Sequence, residues 1–84
     1  MSINQLYAIG VKPLETDQGR KWRITFRMKS PIPYIVVNPF DFLTVDHAMD
    51  QMLMDMCEHD YYITASAVEF DSESDALLVF VRFR

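Results

Sequence analysis

The sequence predicts a two-layer α+β domain: an antiparallel sheet of about five strands with one helix across one face, in the order β-β-β-α-β-β. Three observations predict it. From Val45 to His59 the apolar residues Val45, Ala48, Met49, Met52, Leu53, Met56 and Cys57 recur every three or four positions, which is one stripe of an α-helix. From Lys21 to Lys29 the chain alternates without exception, Trp22, Ile24, Phe26 and Met28 on one face and Lys21, Arg23, Thr25, Arg27 and Lys29 on the other, the period of a strand. Finally, 84 residues, half of them hydrophobic, make one domain over 1–84 with a single core. A chain so short buries only roughly 60–65 % of the surface its unfolded form exposes, so association with a second copy is a natural supplement.

The elements follow in order. Gln5 to Lys12 alternates loosely, with Tyr7, Ile9 and Val11 on one face, and is expected to stop at Pro13, which has no N–H for a ladder. Glu15 to Arg20, polar with one glycine, is a hairpin turn, and the strand Lys21 to Lys29 follows. After the break at Ser30-Pro31-Ile32-Pro33, Tyr34 to Val37 is a short apolar strand closed by Asn38-Pro39. Phe42 or Leu43 is placed to staple the helix entry, Thr44 to cap it, and Asp46 to sit in its first turn. At the other end Glu58 and Asp60 stand where the dipole prefers cations. Ile63 to Phe70 then returns to a strand pattern. Asp71 to Asp75 is an acidic turn, and Ala76 to Arg84, almost continuously apolar, is the last and central strand.

No basic segment followed by an apolar run opens the chain, and no apolar stretch approaches the roughly 20 residues that cross a bilayer. The expectation is a cytoplasmic protein with no membrane partner. The single cysteine, Cys57, lies on the apolar helix stripe as a small buried hydrophobe and fits a reducing compartment.

Charge is distributed unevenly. Residues 1–29 carry six bases and two acids, residues 30–81 ten acids and no base, and residues 82–84 two bases, within a net charge of −4. The helix face opposite the apolar stripe holds His47, Asp50, Gln51, Met54 and Glu58, flanked by Asp46 and Asp55. Solvated helices gain about 0.2–0.5 kcal/mol from each i,i+4 acid–base pair and lose as much from like charges such as Asp46 and Asp50. Three explanations stand: the acidic face meets a basic partner, the basic strand residues of the same fold, in the same or a second subunit, lie close enough to compensate it, or it is simply a solvated surface that keeps the protein dispersed. Met54, apolar at the middle of this face, fits an adaptable contact inside a charged interface.

Chemistry of the catalytic kind is absent. No GxSxG, P-loop or GxGxxG occurs, and Gly10 and Gly19 are too far apart to cradle a phosphate. His47, His59 and Cys57 assemble neither a zinc site nor a Cys–His nucleophile within the helix, and Asp55 with His59 supplies only two ligands. No enzyme, cofactor or metal is expected.

Three functional readings follow. The first is a non-catalytic interaction module, with Asp46, Asp50, Met54, Asp55 and Glu58, extended by Asp71 to Asp75, occupying the basic, nucleic-acid-binding surface of a larger protein and so inhibiting it. In size and charge the chain is similar to small acidic inhibitors carried by bacteriophages, a likeness that covers no motif. The second is a nucleic-acid-binding sheet face using Lys21, Arg23, Arg27, Lys29, Arg82 and Arg84, with Phe80 sharing their side of the last strand for stacking; the acidic pI of 4.9 argues against it. The third is a homodimer joined through its sheets, because Trp22, Phe26, Phe70, Phe80 and Phe83 fall on alternating parities that one helix cannot cover.

Overall fold

The computed structural model describes residues 6–28 and 47–84. The expected third strand Tyr34 to Val37, the Thr44 cap, the Phe42 or Leu43 staple, and Val45, Asp46 and Lys29 lie outside the described residues.

The chain begins with a long hairpin. Strands β1 (Leu6–Thr16) and β2 (Gly19–Met28) pair antiparallel around a two-residue turn at Asp17 and Gln18. Thr16 fastens that turn, its hydroxyl donating to the Gly19 carbonyl at 2.7 Å and accepting from the Gln18 N–H at 3.2 Å. Gly19 has φ of 109°, a region that L side chains avoid, which accounts for a glycine at this point. Strands β3 (Tyr61–Ile63) and β4 (Ala67–Phe70) form a second hairpin, and β4 pairs antiparallel with β2, giving the order β1-β2-β4-β3. The Thr64 backbone N–H and hydroxyl both donate to the Ala67 carbonyl and close the turn between β3 and β4.

Two helices, α1 (His47–Met56) and α2 (Glu73–Phe83), complete the described residues. The α2 helix packs across β1, β2 and β4, with α1 beside it. They run antiparallel: Asp75 at the start of α2 meets the residues just after α1, and Arg82 near its end reaches Met52. Leu6, Ala8, Ile24, Phe26, Val68 and Phe70 from the sheet and Met49, Leu53, Ala76, Val79 and Phe83 from the helices make the core. The α+β class and the antiparallel sheet agree with expectation, and the alternation of β2 holds: Ile24 and Phe26 are buried and Arg27 is exposed.

Three expectations are corrected. The segment Ala76 to Arg84 is not a central strand but most of α2. Ser72, with extended backbone angles, accepts the Asp75 N–H on its side chain as an N-cap, and the supposed acidic turn is that cap and the helix's first turn. Ile63 to Phe70 is not one strand but the end of β3, a turn and β4. Pro13 does not end β1, which continues to Thr16 with Pro13 opposite Trp22; among the described residues β1 is an edge strand, where a missing N–H is tolerated.

The expected grouping of Tyr7, Ile9 and Val11 on one face of β1 is also broken. Ala8 sits opposite Phe26 and Val11 opposite Ile24, three residues against two, so an extra residue bulges out at Ile9 and Gly10. Leu6 and Ala8 point to the core before it and Val11 after it, while Tyr7 and Ile9 are exposed on the other side. The aromatic residues are not split between sheet faces either. Trp22 and Phe70 are register partners on the helix side, and Phe80 and Phe83 reach that side from α2.

Candidate functional site

The α1 helix buries Met49 and Leu53 completely and Met52, Met56 and Cys57 in part, which is the expected stripe except that Ala48 is exposed. Turned outward are Met54, 63 % exposed, and Asp55, with Glu58 exposed just past the helix end. Asp50 is different. It is half-buried and accepts the Tyr61 hydroxyl on its carboxylate at 2.6 Å and on its backbone carbonyl at 3.2 Å, which fastens α1 to β3. Of the five expected contact residues, Met54, Asp55 and Glu58 are therefore exposed, Asp50 is already engaged, and Asp46 lies outside the described residues.

The end of α1 is held by a residue of α2. The helix stops at Met56, and the next two free N–H groups, those of Glu58 and His59, donate to the Asp75 carboxylate at 3.2 and 2.9 Å. Asp75 itself is buried, 3 % exposed, in the first turn of α2, where the dipole favours its charge. Glu58 and Asp60 thus follow a helix whose end is held from outside. His59 adds a contact, its Nδ1 3.5 Å from Asp75 Oδ2.

Burial, reinforced by the nearby Asp75 charge, pushes the Cys57 thiol from 9.0 to about 11. Burial and the bond to Asp50 push the Tyr61 hydroxyl from 10.0 to about 12. Both groups hold their protons longer in the native state than in the unfolded chain. Above pH 9 the unfolded state therefore binds fewer protons, and stability falls as pH rises toward 12. The urea midpoint is expected to decline over that window, and to decline less in Cys57→Ala. A midpoint flat to pH 11 would contradict it.

The alternative, basic surface is not assembled as expected. Arg82 lies on α2 and Arg84 caps its end, in the helix layer, with Phe80 half-buried against the core, so none of them joins the sheet cations. Lys29 lies outside the described residues. On the sheet face away from the helices Lys21 is bonded to Asp71 and Arg23 to Glu69 at 3.0 Å, while Arg20 pairs with Glu15 at 2.6 Å at the hairpin end; Arg27 is exposed. The register makes these pairs, since β4 sets Glu69 opposite Arg23. A cleft of about 520 Å³ on this face, lined by Lys21, Glu69, Asp71, Tyr62 and the β1–β2 turn, contains the Lys21–Asp71 pair rather than unpaired cations. Among the described residues no three His, Cys, Asp or Glu side chains cluster closely enough to hold a metal ion. None of the described helices is long and apolar enough to cross a membrane.

Sequence reasoning missed Asp75 and the outer side of α2. The signal was Ser72 followed three residues later by Asp75, a cap spacing, with Ala76, Val79, Phe80 and Phe83 continuing at helical period. No protein-family model, curated protein or solved structure matches this chain.

Proposed function

We propose that this protein is a non-catalytic interaction module whose Met54, Asp55 and Glu58 surface docks on the basic, nucleic-acid-binding face of a larger protein and blocks it. One observation supports this reading over internal compensation. Among the described residues Arg20, Lys21 and Arg23 pair with Glu15, Asp71 and Glu69, and no cation pairs with the side chain of Asp55 or Glu58. These acids remain exposed around an apolar side chain, which is the composition of a small charged interface. Asp71 and Asp75 drop out of the proposed surface, the first paired with Lys21 and the second buried.

The test is capture from nuclease-treated lysate with the wild type and with Asp55→Lys/Glu58→Lys, both shown to be folded by circular dichroism. Asp50 is left intact because reversing it would break the bond from Tyr61. The expected result is a retained nucleic-acid-binding protein that the variant loses and that duplex DNA competes away. Equal capture by both proteins, or a captured partner indifferent to DNA, would overturn the proposal.

A further inference from the structure

A helix on the surface of a small domain usually turns polar residues outward, but α2 is apolar on both sides. Ala76, Val79 and Phe83 are buried, while Leu77, Leu78 and Val81 are 48 %, 57 % and 55 % exposed. With 3.6 residues per turn, Ser74, Leu77, Leu78 and Val81 form one continuous outward stripe. Its ends differ in charge. Glu73, exposed, begins the helix and Arg84, exposed, caps it, and the helical period sets both along the same edge of the stripe.

That layout selects an occupant. A stripe acidic at one end, apolar in the middle and basic at the other complements a copy of itself turned end for end. Docked in parallel, it would set acid on acid and base on base. We propose that the outer face of α2 is an isologous interface on which a second copy of this chain docks antiparallel. Leu77 then faces Leu78 of the partner subunit, Val81 faces Ser74 of the partner subunit, and Glu73 reaches Arg84 of the partner subunit. The two macrodipoles also oppose, which favours this direction. A contact built on one short helix buries less than the 1,200–2,000 Å² or so of a stable interface, so the dimer forms at high protein concentration. This surface is separate from the acidic side of α1, and either proposal can fail alone.

Sedimentation velocity from about 1 μM to about 1 mM tests it, the span over which a weak dimer populates. The weight-average mass of the wild type should climb from 9.9 kDa toward twice that value. Leu77→Lys/Val81→Lys, changing only exposed positions, should keep its circular dichroism and remain monomeric. Glu73→Arg alone and Arg84→Glu alone should each weaken the dimer by about tenfold, and the two together should restore it. A wild type monomeric throughout, a dimer indifferent to the lysine pair, or a double reversal weaker than either single reversal would overturn the proposal.

Discussion

Replacing Phe26 by alanine is expected to cost about 3–5 kcal/mol, the usual range for emptying a buried aromatic site. Phe26 is 1 % exposed and sits at the contact between the layers, its ring edge-on to that of Phe83 with centroids 5.2 Å apart and planes at 89°. Removing it opens a cavity between β2 and α2 and also discards an aromatic pair worth about 0.5–1.5 kcal/mol beyond its buried area. Domains of this size hold only about 5–15 kcal/mol in total, so the variant should be partly unfolded without denaturant. Urea titration followed by circular dichroism measures it. Phe26→Leu, which keeps most of the volume, should lose markedly less, and Tyr62→Ala, at an exposed position on the other face, should stay within about 0.5 kcal/mol of wild type. A midpoint for Phe26→Ala equal to that of wild type would mean that the helix layer is not packed on β2 as described.

Asp75→Ala should be the next most damaging change, at about 2–4 kcal/mol, because it strands two backbone N–H groups that the carboxylate now satisfies. Its mechanism is distinct from a lost hydrophobic contact and has its own signature. In wild type the amides of Glu58 and His59 should exchange slowly with solvent, and in the variant they should exchange at nearly the rate of an open chain. Asp75→Asn keeps one acceptor oxygen and should fall between the two. Glu73→Gln, an exposed acid in the same turn, should change stability by no more than about 0.3–1 kcal/mol, the size of a surface dipole contribution. Retained slow exchange at Glu58 and His59 in Asp75→Ala would show that another group holds the end of α1.

The parts legible in the sequence are those where one period dominated. The alternation from Trp22 to Arg27 specified β2 and its two faces, and Met49 and Leu53 oriented α1. The segment from Ala76 onward was misread because a nearly unbroken apolar run carries no period of its own, and a buried strand and a helix apolar all round look alike in it. The arbiter was local and polar: Ser72 and Asp75 at cap spacing ahead of the run. The exposure of Asp55 and Glu58 follows from the polar face of the helix pattern, whereas the engagement of Asp50 by Tyr61 depends on a contact between residues eleven apart that no local pattern encodes. The ion pairs of the sheet cations were hidden for a similar reason. Their pairing with Glu69 and Asp71 is a consequence of strand order, which the sequence left open.

The bulge at Ile9 and Gly10 does more than exchange the faces of β1. Among the described residues β1 is an eleven-residue strand on the outside of the sheet, and such a strand is a template on which other chains can grow. Here the template is interrupted at one point by the extra residue, which twists the edge out of line, and at another by Pro13, which offers no donor. Lys12 beside it places an exposed charge on the same stretch. Recruitment of the long hairpin into intermolecular sheet is thereby opposed at two points along β1.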